Sequence, residues 1–283
     1  MTTLWILGDS FSSAKDADTP IDPRTWMKQL APRLGVDRVA NLSIRGVSQE
    51  YTWFRLHEIL RDQVEPDDYM VIALTHPARR WYHPKYPEIS RYEHVWKFSE
   101  IGLKKHHEAA KLYVECIQRQ DMDVVQVEER LTWLDSMTDR LGLRRPQVLV
   151  AFHQELGYSR TLEHIHISRG DLCSISEKER CFEKGFEHYH SLLTYVDFRY
   201  NHLCLSNHLV LTDLLVEAFD KDQPVDISSG PFLDNMLTDE SIENAEWCQF
   251  EIDPDLLKEW RKKRDEDPDL LRKVRLSALF KGR

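Results

Sequence analysis

Residues 3–12 read TLWILGDSFS, and this stretch decides the fold class. The run from Thr3 to Leu7 is apolar apart from the threonine hydroxyl, which is typical of a strand buried on both faces of a parallel sheet. Gly8 ends the run, and Asp9 and Ser10 follow in a tight turn. The stretch therefore predicts the first strand of an α/β domain with polar side chains at its carboxyl end.

The rest of the chain alternates between strand and helix patterns. Further strands are predicted at 38–42, 69–75, 147–152 and, more briefly, 164–168. Helices are predicted at 26–34, after Gly46 with Ser48 as N-cap, within 101–141 with a break near 120, at 177–196, and after Ser206 as N-cap. Strands separated by helices imply a parallel sheet with right-handed crossovers, so the carboxyl ends of the strands share one edge.

The chain of 283 residues has room for one large domain with an insertion and a small appendage. We predict a main domain at 1–220, interrupted at 76–145 by an aromatic and helical insertion before the fourth strand. Residues 221–283 are predicted to form an acidic linker and a helical C-terminal extension. In this extension, Asp253-Pro254 and Asp267-Pro268 mark the starts of helices.

Composition limits the partners and the compartment. The net charge is -10, so bulk electrostatic attraction to nucleic acid or anionic lipid is not expected. No apolar run is long enough to span a membrane, and the first residues lack the basic region of a signal peptide. The five cysteines are scattered without a CxxC pair, which favours a reducing compartment such as the cytoplasm. The oligomeric state stays open.

The motif Gly8-Asp9-Ser10 places a serine just after the first strand, at the carboxyl edge of the predicted sheet. A nucleophile at this position would have its own N–H and a helix N-terminus nearby, and both favour developing negative charge. A serine that merely caps a helix is an equally good interpretation of this motif alone.

Two further motifs occur at the same edge. Asn41-x-Ser43-x-x-Gly46 follows the second predicted strand, and His202-x5-His208 precedes the last helix. The order of these three motifs resembles the SGNH or GDSL hydrolase superfamily, most of all its divergent bacteriophage-encoded members. The resemblance covers about residues 1–220. It implies a flavodoxin-like three-layer α/β/α sandwich and a serine esterase or deacetylase that needs no cofactor.

The resemblance assigns roles to individual residues. Ser10 would be the nucleophile, the N–H groups of Ser10 and Gly46 would line the oxyanion hole, and His202 would be the general base. His208 is interpreted mainly as a packing or capping residue, with the base role as the lesser alternative.

The sequence departs from the family pattern at two positions. The segment after the third strand, 73–80, lacks the asparagine that usually binds the oxyanion, so Thr75 or Arg79, together with Asp9, are the candidates there. Arg199 stands where the family has an aspartate three residues before the histidine, and Asp197 is the nearest carboxylate. A Ser-His dyad, or a carboxylate from elsewhere, is equally open.

Other residues suggest rival functions. His164-x-His166 and His188-x-His190 could bind a metal, although metal binding is the weaker interpretation and we expect no metal site. The aromatic residues between Trp81 and Trp96 could form a lid for a small-molecule or glycan O-acyl ester, or simply pack on the domain.

The alternative to an enzyme is a phage accessory or virion protein that keeps the fold as a binding or structural module. A phage-encoded protein would lie in the host cytoplasm or the virion.

Overall fold

The computed structural model describes residues 1–13, 25–77, 79–90, 95–117, 120–151, 162–179, 203 and 205–232. Its centre is a parallel sheet of order β2-β1-β3-β4-β5. The strands are β1 (Thr3–Leu7), β2 (Arg38–Asn41), β3 (Tyr69–Leu74), β4 (Gln147–Val150) and β5 (His166–Ile167). This order is the flavodoxin-like one, and it reverses direction between β1 and β3. The predicted α/β class with a parallel sheet is confirmed.

Helices lie before, between and after the strands. They are α1 (Trp26–Arg33), α2 (Gln49–Asp62), α3 (Lys97–Glu100), α4 (Lys104–Cys116), α5 (Gln120–Leu141), α6 (Leu172–Glu179) and α7 (Leu205–Asp220). Ser48 caps α2 as predicted, since its Oγ accepts a hydrogen bond from the Tyr51 N–H at 3.3 Å. The predicted cap of the last helix is wrong, because α7 already begins at Leu205 and Ser206 is its second residue.

The alternation of side chains along the strands divides the core into two clusters, one on each face of the sheet. On one face, Leu4 and Ile6 of β1 share a cluster with α1, α6 and α7. On the other face, Trp5 and Leu7 share a cluster with α2 and α5. Both faces of β1 are therefore covered, which explains its unbroken apolar sequence and confirms the three-layer sandwich.

The helical part of the predicted insertion divides into two pieces with different roles. In α5, the side chains of Val127, Leu131 and Leu134 are buried against the sheet, so this helix belongs to the layer that covers β3 and β4. In α4, only Ala110 is buried, and it packs in a small separate cluster with Ile89, Val95 and Phe98. The segment that stands apart from the sandwich thus ends before α5.

The main domain continues beyond residue 220. Val225 and Ile227 are 1% exposed and belong to the same cluster as β1. The Gln147 side chain of β4 donates to the Gln223 carbonyl at 3.0 Å and accepts from the Val225 N–H at 3.3 Å. The start of the predicted linker is therefore part of the core, and residues 233–283 lie outside the described residues. Within the described part of the chain, no helix combines the length and apolarity needed to cross a membrane.

Candidate active site

Ser10 lies just beyond the carboxyl end of β1, where the strand order reverses, and its side chain is partly exposed. Crevices that bind ligands in open parallel sheets form at this kind of reversal. The Ser10 turn (residues 8–12) is closed by the Ser12 N–H, which donates to the Asp9 carbonyl at 3.1 Å. Its first residue, Gly8, has a φ of +142°, a conformation that side-chain-bearing residues rarely adopt.

The Gly46 turn (residues 44–47) is attached directly to the Ser10 turn. The Ile44 N–H donates to the Gly8 carbonyl at 3.1 Å, and the Asn41 side chain donates to the Ser12 carbonyl at 2.8 Å. Asn41 Oδ1 accepts from the Ser43 N–H at 3.0 Å. The family-like asparagine therefore helps to hold the second turn against the first.

Two backbone N–H groups at this edge are candidate donors to a ligand. Among the described residues, the N–H groups of Ser10 and Gly46 have no hydrogen-bond acceptor, and the same holds for the Ser10 hydroxyl. A positive φ of +78° at Gly46 turns the local peptide out of the path of an ordinary strand or helix. Unpaired N–H groups near an exposed hydroxyl can stabilise an oxyanion that forms during attack by that hydroxyl.

Asp9, the residue before Ser10, is fully buried, and three hydrogen-bond donors surround its carboxylate. Its Oδ2 accepts from Thr75 Oγ1 at 2.7 Å and from Arg79 Nη1 at 2.9 Å. Its Oδ1 accepts from the Phe11 N–H at 3.1 Å. The single hydroxyl hydrogen of Thr75 is directed at Asp9. The role predicted for Asp9, Thr75 and Arg79 in binding an oxyanion or substrate stays a prediction.

The segment after β3 is fastened to the start of α2 by side chains that the sequence motifs do not include. Gln49 Nε2 donates to the Thr75 carbonyl at 2.5 Å, and Ser90 Oγ donates to the Gly46 carbonyl. Glu50 Oε2 accepts from the Trp81 N–H at 2.6 Å. The signal in the sequence that could have indicated these contacts is the pair of polar residues Gln49-Glu50 at the start of α2, together with Arg79-Arg80 in the loop after β3.

The predicted base cannot be placed, because His202, Asp197 and Arg199 lie outside the described residues. The residue after the predicted base, Leu203, is 3% exposed and belongs to the same hydrophobic cluster as Phe11, which follows Ser10. The alternative base, His208, lies in the first turn of α7 and is 4% exposed. The packing role expected for His208 stays a prediction.

The aromatic part of the insertion packs in part against α2. Trp81 contacts Tyr51 at 5.3 Å and Phe54 at 5.1 Å between ring centroids, and Phe54 is half-exposed. Trp96 is also half-exposed, whereas the ring of Tyr86 lies against that of His83. Burial lowers the pKa of His83, and the neighbouring His106 and Lys85 lower it further. The role of these rings as a lid stays a prediction.

The two histidines of the first HxH pair have separate partners. His166 Nε2 lies 2.9 Å from Asp222 Oδ1, and the other oxygen of Asp222 accepts from Arg145 Nη1 at 3.0 Å. His164 Nε2 lies 3.7 Å from Asp139. In the described residues, no group of three or more metal-ligating side chains is found, and His188 and His190 lie outside those residues.

Because each histidine of this pair faces its own carboxylate, treatment with EDTA is expected to leave ester hydrolysis within about twofold of the untreated protein. Parallel elemental analysis should find less than one tightly held transition metal per chain. The His164→Ala/His166→Ala protein is the control for both measurements. A stoichiometric metal that disappears in this double variant, together with loss of turnover, would contradict the expectation.

No protein family model matches the chain, and no curated protein is significantly similar to it. Among solved structures, the chain is similar to TesA, with 20% identity, a TM-score of 0.29, and coverage of 56% of this chain and 64% of that one. It is also similar to a member of the lipolytic protein G-D-S-L family from Veillonella parvula DSM 2008, with 10% identity, a TM-score of 0.27, and coverage of 53% of this chain and 57% of that one. A third similar structure is phospholipase A1 from Streptomyces albidoflavus NA297, with 13% identity, a TM-score of 0.26, and coverage of 79% of this chain and 78% of that one.

The chain thus spans less than two thirds of the length of the first two of these structures. All three TM-scores lie below 0.5, so the function has to be inferred from the residues of the site itself.

Proposed function

We propose that this protein is a serine hydrolase of the SGNH type that cleaves an acyl ester, as an esterase or a deacetylase. The observation that carries the proposal is the arrangement at the carboxyl edge of β1. There, the partly exposed Ser10 hydroxyl and the N–H groups of Ser10 and Gly46 belong to two turns that are hydrogen-bonded to each other, and neither N–H has an acceptor among the described residues. This arrangement combines a nucleophile with donors for an oxyanion.

In the proposed reaction, Ser10 Oγ attacks the acyl carbonyl carbon while His202 takes the hydroxyl proton. The carbonyl oxygen becomes negative and accepts hydrogen bonds from the two N–H groups. The tetrahedral intermediate then expels the alcohol, which receives the proton from His202, and an acyl-serine remains. Water, deprotonated by His202, attacks the acyl-serine, which releases the acid and regenerates the Ser10 hydroxyl. These steps need no cofactor, and Asp197 is the proposed carboxylate that orients His202.

The substrate class that we propose is a small-molecule or glycan O-acyl ester. The half-exposed rings of Phe54 and Trp96 support this class, since aromatic side chains offer flat apolar surface to a sugar ring or an acyl chain. Neither nucleic acid nor a membrane is part of the proposal, because the chain carries a net charge of -10.

One observation favours a second candidate, a non-catalytic binding or structural module with the same fold. Arg79 and Thr75, which stand in the segment where the resemblance expects an oxyanion-binding asparagine, both donate to the buried Asp9. A site that has lost this third donor would be slower by about 10² to 10³-fold if it follows the behaviour of other acyl-transfer enzymes.

Treatment with a fluorophosphonate tests the proposal directly. The wild-type protein is expected to form one covalent adduct, located on Ser10 by mass spectrometry of the digested chain, because an activated serine attacks phosphorus as it attacks an acyl carbon. Ser10→Ala should form no adduct.

The matched control is Ser12→Ala, two residues along the same turn. Ser12 Oγ is fully buried and donates to the carbonyl of Asp9 at 3.2 Å, so this variant should lose stability but still be labelled on Ser10. An adduct on another serine that persists in Ser10→Ala would reassign the nucleophile. If no adduct forms and wild-type and Ser10→Ala proteins hydrolyse short acyl esters at the same background rate, the non-catalytic module replaces the enzyme.

A further inference from the structure

Arg79 connects the two turns that carry the proposed reaction. Its side chain is 4% exposed, and Nη1 lies 2.9 Å from Asp9 Oδ2 in the Ser10 turn. The same nitrogen donates to the Val47 carbonyl of the Gly46 turn at 3.3 Å. Asp9 directly precedes Ser10, and Val47 directly follows Gly46, so one guanidinium group contacts a chain neighbour of each proposed oxyanion donor.

We propose that Arg79 is a positioning residue that fixes the N–H groups of Ser10 and Gly46 relative to each other through Asp9 and Val47. This inference rests on the proposed hydrolase function. It differs from the role expected from the sequence, because Arg79 acts through its neighbours rather than by contact with the oxyanion.

The surroundings of the ion pair make the connection stiff. Asp9 is fully buried and also accepts from Thr75 Oγ1 and the Phe11 N–H, so its carboxylate cannot turn without breaking several hydrogen bonds. Charged hydrogen bonds of this kind are short and strong in a medium of low dielectric constant. Loss of the guanidinium would leave a buried carboxylate with less compensation, and the Ser10 turn would shift to improve its solvation.

A small shift of this turn has a large kinetic consequence. A displacement of about 1 Å at a reacting group can reduce the rate about 10²-fold. The shift would impair the chemical step more than substrate binding, because the two N–H groups bind the oxyanion more strongly than the carbonyl oxygen of the substrate. A positioning role therefore predicts a lower kcat at nearly constant KM.

The neighbouring Arg80 provides a matched control. Its side chain is also buried, at 7% exposed, and it forms a buried ion pair with Asp123 of α5. Its Nη1 donates to the carbonyls of Pro77 and Arg79 at 2.7 and 3.1 Å. Arg80 thus shares residue type, burial and pairing with Arg79, but its side chain pairs with Asp123 of α5 and, at 3.8 Å, with Glu50 of α2. Among the described residues, it forms no hydrogen bond or ion pair with residues 8–12 or 44–47.

The experiment compares Arg79→Gln, Arg79→Lys and Arg80→Gln in the full chain. Arg79→Gln is expected to reduce both kcat for p-nitrophenyl acetate and the rate of fluorophosphonate labelling by about 10²-fold, with KM within about threefold. Arg79→Lys should recover part of the loss, because its ammonium group keeps a positive charge beside Asp9 but lacks the rigid planar guanidinium that holds Nη1 against both Asp9 and Val47. Arg80→Gln should lower the melting temperature comparably yet keep kcat within about threefold.

The Asp9→Asn/Arg79→Gln protein keeps the test decisive if Arg79→Gln does not fold, because it removes both buried charges together. It should fold and still be labelled about 10²-fold more slowly than wild type.

Amide hydrogen exchange gives a readout independent of activity. Exchange in residues 8–12 and 44–47 should rise in the Arg79 variants relative to Arg80→Gln, while exchange in β4 stays the same.

If the folded Arg79 variants are labelled as fast as wild type and show the same hydrogen exchange, the inference about Arg79 is overturned. That result would leave the proposed hydrolase function untouched. A wild-type protein that forms no adduct and hydrolyses no ester would overturn the proposed function and this inference with it.

Discussion

Ester turnover is expected to fall by roughly 10⁴-fold or more in Ser10→Ala and in His202→Ala, and the double variant should be no slower than the slower single variant. The reason is that nucleophile and base act as one unit, so removal of either leaves only the contributions of binding and the oxyanion donors. The measurement is kcat/KM for p-nitrophenyl acetate in all three variants. This kinetic comparison tests the role of His202, which lies outside the described residues.

His208→Ala is the matched control for this series. The His208 side chain is 4% exposed in the first turn of α7, so its truncation should mainly lower the melting temperature, with turnover within about tenfold of wild type. Turnover that is lost in His208→Ala and retained in His202→Ala would move the base to His208. Losses that add in the Ser10→Ala/His202→Ala protein would show that the two side chains do not act together.

The sheet could be predicted from the sequence because its central strands are buried on both faces. β1, β3 and β4 are apolar runs with few polar interruptions, and such runs have few alternatives to a central parallel strand. The edge strand β5 spans only His166–Ile167, and its pattern was correspondingly short. The parallel arrangement followed from the alternation of strands with helices, and the flavodoxin-like fold followed from the family resemblance.

The division of the insertion could not be predicted in the same way. The patterns of α4 and α5 follow each other in sequence, and both have amphipathic spacing. Only the folded chain shows that Leu131 and Leu134 are buried against the sheet, whereas the residues of α4 other than Ala110 are not buried. Periodicity identifies an apolar face but does not identify the surface that covers it.

The candidate site was predicted in part. The motifs placed Ser10 and Gly46 at one edge because both follow parallel strands, and the hydrogen bond from Ile44 to Gly8 agrees with that placement. The ion pair between Asp9 and Arg79 joins residues 70 positions apart, and it depends on the path of the loop after β3. No local pattern specifies that path, so the contacts of Arg79 emerged only from the structure.

Gly8→Ala is expected to destabilise the protein severely, by about 2–6 kcal/mol in the free energy of unfolding. An added Cβ would lie 2.7 Å from the Ala73 carbonyl oxygen and 2.8 Å from the Ala73 Cβ of β3. It would also lie 2.5 Å from Ser12 Oγ, which is held by its hydrogen bond to the Asp9 carbonyl. Overpacking of this kind costs about 1–3 kcal/mol, and the strained φ of +142° adds about 1–3 kcal/mol.

The Ala73 atoms cannot simply move away, because β3 pairs with β1 immediately before this point, through Leu7 and Ile72. Relief of the clash therefore requires the Ser10 turn to leave the sheet edge, and any remaining folded protein should lose turnover as well as stability. Urea-induced unfolding followed by circular dichroism measures the first effect, and hydrolysis of p-nitrophenyl acetate at low temperature measures the second.

Gly35→Ala separates the two causes of this loss. Gly35 has a φ of +65°, but an added Cβ would meet nothing within 4 Å, so this variant bears the backbone strain without the clash. It should lower the free energy of unfolding by about 1–2 kcal/mol. Turnover should stay unchanged, because Gly35 follows α1 and belongs to neither the Ser10 turn nor the Gly46 turn. Equal losses of stability in Gly8→Ala and Gly35→Ala would mean that the contact with β3 contributes nothing. In that case, Gly8 would be required for its backbone conformation alone, and the Ser10 turn would not depend on close approach to Ala73.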